Sequence, residues 1–109
     1  MTLNEINEKF NHLEISEKRD MSDDYTELVF YTKDLDEWNK IFIDTLGPAI
    51  KPPGIKASDN DMALTRDYGG IQDNQTLFKK EFESVVIIAM LWPWQDNEHI
   101  TLKMALLKE

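Results

Sequence analysis

Tyr25-Thr26-Glu27-Leu28-Val29-Phe30-Tyr31 is followed by Lys33-Asp34-Leu35-Asp36-Glu37-Trp38 and by the run through Ile41, Phe42 and Leu46 to Gly47-Pro48. The first run is rich in aromatic and β-branched residues and predicts a strand over 25–31. Its alternation sends Thr26, Leu28 and Phe30 to one face and Tyr25, Glu27, Val29 and Tyr31 to the other. The period then changes. Leu35, Trp38, Ile41, Phe42 and Leu46 share one helical stripe. Asp34 with Glu37 three residues on supplies a start signal, and Gly47 before Pro48 supplies a stop. This predicts a helix over 33–46.

Upstream, Thr2-Leu3-Asn4-Glu5 has the form of a capping box, and Leu3, Ile6, Phe10 and Leu13 follow at helical spacing. An amphipathic helix over 1–16 is expected, then a charged, apolar-poor linker over 17–24. Downstream, residues 47–54 hold three of the four prolines and two of the four glycines. The Pro52-Pro53 pair makes that loop stiff. Ser58-Asp59-Asn60-Asp61 opens a short helix to about Tyr68, closed by Gly69-Gly70.

The last third reads as a meander of three strands, 75–82, 85–92 and 99–108. The middle one is apolar on both faces, which places it inside the sheet. In the last, Ile100, Leu102, Met104 and Leu106 point inward, and His99, Thr101, Lys103 and Ala105 outward. Glu83-Ser84 fits a tight hairpin, and residues 93–98 a longer one. The expected architecture is a single α+β domain over 1–109. It is a two-layer sandwich with a mainly antiparallel sheet of about four strands, covered by two main helices. Leu28, Phe30, Trp38, Phe42, Ile87, Ile100, Leu102 and Met104 are expected in one core.

Charge narrows the function. Twelve Lys and Arg oppose 21 Asp and Glu, a net charge of 12 − 21 = −9. The only adjacent basic pairs are Lys18-Arg19 and Lys79-Lys80. Phosphate backbones and anionic membranes need clustered cations, so neither nucleic acid nor membrane is an expected partner. Cysteine is absent, which removes thiol catalysis, thiolate metal sites and disulfides. The first residues lack the basic and apolar regions of a signal peptide, and a cytoplasmic protein is expected.

Catalytic motifs are missing. Tyr68-Gly69-Gly70-Ile71 lacks the Lys-Ser/Thr of a P-loop, and no G-x-S-x-G elbow exists. Ser16, Ser58 and Ser84 lie beside turns or helix starts, where serine bonds locally. His12 falls on the polar side of the first helix. His99, beside Glu98 and with Asp96 or Glu83 as partner, is the one residue suited to acid–base or divalent-ion chemistry. No catalytic residue, cofactor or metal is assigned.

Binding chemistry is better represented. Trp92-Pro93-Trp94 carries two indoles into a polar turn, and an indole suits a ligand wall or an interface. The expected ligand-binding residues are Trp92, Trp94, Tyr31, Lys51 and Lys56. The surface would join the Trp92–Trp94 turn to the Gly47–Gly54 loop. The expected function is a non-catalytic module that binds a small molecule or a protein, as a monomer or homodimer.

Residues 29–36, with Phe42 and Leu46-Gly47, also resemble the opening strand and helix of a vicinal-oxygen-chelate (glyoxalase-type) module. That resemblance implies a small-molecule binder or enzyme completed by dimerisation. Its metal ligands would stand on strands, where Glu27 and His99 are the candidates.

Overall fold

A computed structural model describes residues 2–108 of the chain. Three helices, α1 (Leu3–Glu8), α2 (Leu35–Leu46) and α3 (Asp59–Thr65), accompany five strands. The strands are β1 (Ile15–Met21), β2 (Tyr25–Tyr31), β3 (Thr76–Phe82), β4 (Val85–Pro93) and β5 (His99–Lys108). They form one antiparallel sheet in the order β1-β2-β5-β4-β3. Short 3₁₀ turns precede α2 at Thr32–Asp34 and follow α3 at Arg66–Tyr68. No helix among the described residues is long and apolar enough to cross a membrane.

The sheet has five strands where about four are expected, and the additional one begins in the last two residues of the expected first helix and continues into the expected linker. β1 is exposed along its length apart from half-buried Ile15, so no hydrophobic alternation announces it. It forms because the chain turns back at Ser22, whose N–H donates to the Tyr25 carbonyl at 2.9 Å. A backbone ladder to β2 then satisfies its polar groups. Register shifts after Ile15 and Lys18, together with its charged side chains, protect this edge from further pairing.

α1 is also shorter than expected. Its capping box is present: Glu5 N–H donates to Thr2 Oγ1, and Thr2 N–H to Glu5 Oε1, each at 3.2 Å. After Glu8 the chain tightens into successive turns, with Phe10 N–H reaching Asn7 O and Leu13 N–H reaching Phe10 O. That tighter path leaves Phe10 stacked on Trp38, centroids 4.3 Å apart. Leu3, Ile6 and Phe10 are buried and Leu13 packs beside them, so the stripe survives without a helical backbone beyond Glu8.

The remaining elements follow the sequence closely. β2 spans 25–31 as expected, and α2 ends at Gly47 with a positive φ of 86°. Asp34 makes no side-chain capping bond; the 3₁₀ turn leads into α2 in its place. α3 carries a reciprocal Ser58–Asp61 capping box.

Apolar clusters form on both faces of the sheet. On one, α1 and α2 cover Leu28, Phe30, Phe78, Ile87, Ile100, Leu102 and Met104, and all eight expected core residues belong to this cluster. On the other, Ala57, Tyr68 and Ile71 from the α2–β3 connection pack on Leu77, Ile88, Met90 and Ala105. The outward side of β5 is therefore not open. Thr101 and Ala105 are buried, because β4 is apolar on both faces and its second face needs cover.

Candidate functional site

The Gly47–Gly54 loop and the β4–β5 turn lie at the same end of the sheet. Lys51 and Leu77 exchange backbone hydrogen bonds beside the start of β3. Thr76 pairs with Leu91, and Pro93 with Ile100, at that same end. Beside the Gly47–Gly54 loop, between α2 and this end of the sheet, opens a cleft of about 230 Å³. Leu35, Asn39 and Ile43 of α2 form one wall. They are four residues apart, hence one ridge of the helix, beside the core ridge of Trp38, Phe42 and Leu46. Ala49, Pro53 and Pro93 flank the opening, and Phe78, Leu91 and Ile100 from three neighbouring strands make the floor. Asn39, Asn74 and Thr76 are the polar side chains of the lining, and among the described residues no ionisable side chain faces it.

Lys51 holds this loop together. It is 1% exposed, and its Nζ donates to the carbonyls of Gln75 at 2.6 Å, Asp73 at 2.7 Å and Pro52 at 3.2 Å. An ammonium has three protons, so every donor is used. Burial pushes its pKa down, against the pull of Asp73 and Asp61. The expected ligand-binding lysine is therefore turned inward. Lys56 is exposed on the chain leading to α3 and does not line the cleft.

The aromatic residues take the other side of the strand ends. Register places Tyr31 opposite His99 and Trp92 opposite Thr101. Tyr31, His99 and Trp94 form a row, with centroids 5.4 Å and 4.8 Å apart. Lys33 Nζ lies 5.5 Å from the Tyr31 centroid, and the Arg19 guanidinium 5.9 Å from Trp94. Trp94 Nε1 donates to Thr101 Oγ1 at 2.8 Å, which ties a 38% exposed indole to the sheet. Of the five expected ligand residues, Tyr31 and Trp94 come together through His99, and Trp92 shares their face as the strand partner of Thr101.

Trp92 is covered. Lys103 Nζ sits 3.6 Å from its ring centroid and donates to the Tyr68 carbonyl at 3.1 Å, and the Trp92 Nε1 is buried without a partner. Burial lowers the Lys103 pKa, opposed by Glu27 and reinforced by Arg19. Gly69 has a φ of 99°, and a Cβ there would stand 2.5 Å from Trp92 Cη2. Gly69→Ala is expected to cost about 1–3 kcal/mol from backbone strain alone. It should also displace the Trp92 indole resonance. An unchanged melting temperature with an unmoved indole signal would show that the ring is not seated against this turn.

His99 does gather acidic neighbours. Its Nδ1 lies 2.6 Å from Asp96 Oδ2, and Asp96, Glu98 and His99 bring ligand atoms within 4.8 Å of one another. The Asp96 Oδ1 accepts the N–H groups of Glu98 and His99. The Glu98 N–H and the His99 ring hold its carboxyl below the ordinary value. These bonds commit the carboxylate to the turn. Glu83, the other suggested partner, sits at the β3–β4 hairpin, the opposite end of the sheet.

Glu27 and His99 do not converge. The register sets Glu27 four residues from Tyr31, the partner of His99, roughly 13 Å along the strand. Burial raises the Glu27 pKa, but hydrogen bonds from Tyr25 (2.7 Å) and Arg19 (3.2 Å) outweigh it and the net shift is downward.

Sequence reasoning missed the cleft-lining Asn39, Ile43, Asn74 and Thr76. Ile43 alone carried a signal, as an apolar residue off the core stripe of an otherwise polar helix surface; it is 48% exposed. Compared with protein families, curated proteins and solved structures, the chain matches none of them.

Proposed function

We propose that this chain is a non-catalytic binding module whose recognition site is the cleft between α2, the Gly47–Gly54 loop and the sheet end at Pro93. The observation that carries this reading is the composition of the cleft: an apolar recess at one end of a rigid sheet, lined by three polar side chains and no ionisable one. Such recesses with a few convergent polar groups are the usual form of a small-molecule site. General acid–base chemistry needs a titratable group within reach of the reacting atom, and nucleophilic catalysis needs an activated nucleophile. The lining offers a single hydroxyl, Thr76, with no base beside it. The walls are stiffened by Pro52-Pro53 and by the Lys51 staple, which lowers the entropy lost when a ligand docks.

The test is a fragment screen on ¹⁵N-labelled protein. Bound fragments should move the amide signals of Ala49, Asn74, Thr76, Leu91 and Ile100 as one group. Ile43→Asp, a change at a half-exposed helix position, should keep the folded spectrum and weaken those fragments by about tenfold or more, the effect of a desolvated charge in an apolar site. A screen that yields no fragment in the cleft, or fragments indifferent to Ile43→Asp, overturns the reading.

A further inference from the structure

We infer that the cleft takes an uncharged ligand of one or two rings, with a hydrogen-bonding group such as an amide or hydroxyl directed to Asn39, Asn74 or Thr76. This rests on the cleft being the recognition site. Three observations fix the class: size, charge and the chemistry of the polar lining.

Size comes first. A dry apolar cavity of about 150 Å³ accommodates benzene, and drug-sized ligands occupy about 300–1,000 Å³. At about 230 Å³ the cleft lies between these, the range of a substituted ring or a fused bicycle. Phe78, Leu91 and Ile100 close its base and are themselves nearly covered, so the apolar surface open to such a ring comes from Leu35, Ile43, Ala49, Pro53 and Pro93 around it.

Charge is selected against on both signs. A carboxylate or ammonium entering the cleft loses water and meets no ionised partner in the lining. Lys51, in the loop that borders the cleft, has its three protons committed to carbonyls and is not free to turn. The surplus of acids on the chain does not reach the lining either.

The polar lining then reads the substituent. A carboxamide both donates and accepts, and so does a hydroxyl. Asn39 stands on the α2 wall, whereas Asn74 stands in the turn before β3 and Thr76 at its first position. A ligand amide or hydroxyl satisfies such groups in either orientation, while a ligand lacking it leaves them desolvated and unpaired.

Three compounds with one skeleton make the test: indole-3-acetamide, indole-3-acetate and tryptamine, titrated separately into the ¹⁵N-labelled chain. The neutral amide should move the cleft signals with an affinity about tenfold or more above either charged analogue, because a charge stripped of water costs at least that much. Asn74→Ala, on an exposed residue, should reduce the affinity for the amide and leave that for unsubstituted indole unchanged. If Asn39→Leu also folds, it should do the same. Equal or tighter binding of the acetate or the amine in the cleft overturns the ligand class and leaves the cleft as a binding site. Binding of indole and its amide with equal affinity overturns the role of the polar lining. If none of these compounds binds while other fragments occupy the cleft, the class again fails alone. If no compound of any kind occupies it, both this inference and the binding reading fall.

Discussion

Phe42→Ala is expected to lower the unfolding free energy by about 3–5 kcal/mol, the range for removing a buried aromatic side chain. Phe42 has no exposed surface and packs with Phe10 at 5.3 Å and Phe78 at 5.2 Å. It therefore links the turn after α1, the α2 helix and the β3 strand. Next to it, Trp38 is sandwiched between Phe10 and Phe30, at 4.3 Å and 4.2 Å. Removing the Phe42 ring opens a void in this close-packed aromatic group, and a close-packed core fills such a void only in part. In thermal unfolding the loss should appear as a fall in melting temperature of more than about 10 °C. An unchanged transition would mean that α2 does not lie on the sheet by this face.

The second large effect is expected at Lys51→Met, which keeps the length and the apolar stem while deleting the charge and all three donors. The Asp73 carbonyl retains the Gly54 N–H at 2.7 Å, and the Pro52 carbonyl borders solvent-exposed residues. The Gln75 carbonyl sits at the buried end of the staple and loses its side-chain donor. A cost of about 2–3 kcal/mol follows from leaving such a group unpaired together with losing charge-assisted bonds. The change should be regional as well. Amide exchange at Gly54 and Leu77 should accelerate far more than at Leu28 or Leu102, because the staple secures the loop and not the helix-covered core. Unaltered protection at Gly54 and Leu77 would show that the loop is held without this lysine.

Periodicity conveyed most of the architecture because most elements bury one face. β2, β5 and α2 each have a stripe or alternation, β4 is a continuous apolar run buried on both faces, and their ends were marked by Gly47, Pro48 and turn residues. β1 was illegible because an exposed edge strand is held by backbone bonds, which leave no mark on side-chain pattern. The end of α1 was illegible for a different reason: Phe10 keeps its helical position in the sequence while the chain beneath it tightens. The site was half legible. Compositional oddity pointed to two loops that lie at one end of the sheet, but of the Trp92–Trp94 run only Pro93 lines the cleft. What residue types do not reveal is the side each residue takes. Pro93 lines the cleft while its neighbours Trp92 and Trp94 lie on the opposite face, since successive strand residues alternate. The inward turn of Lys51 depends on carbonyls 22 and 24 residues away in the chain, contacts that no local pattern encodes.

The strand order carries a consequence for the time course of folding. β5 lies at the middle of the sheet, between β2 and β4, although it follows them both along the chain. Tyr25 pairs with Ala105 and Tyr31 with His99, so this ladder joins segments synthesised far apart in time. Before residues 99–108 emerge, the β1–β2 and β3–β4 hairpins can form by local closure, but each presents an unpaired edge, and the apolar faces of Leu28, Phe30 and Ile87 lack their central support. Arrival of the last strand joins the two hairpins, covers both edges and completes both apolar clusters in one event. Such late, non-local pairing slows folding relative to a chain built from neighbours, and it leaves the nascent hairpins open to mispairing until that strand arrives.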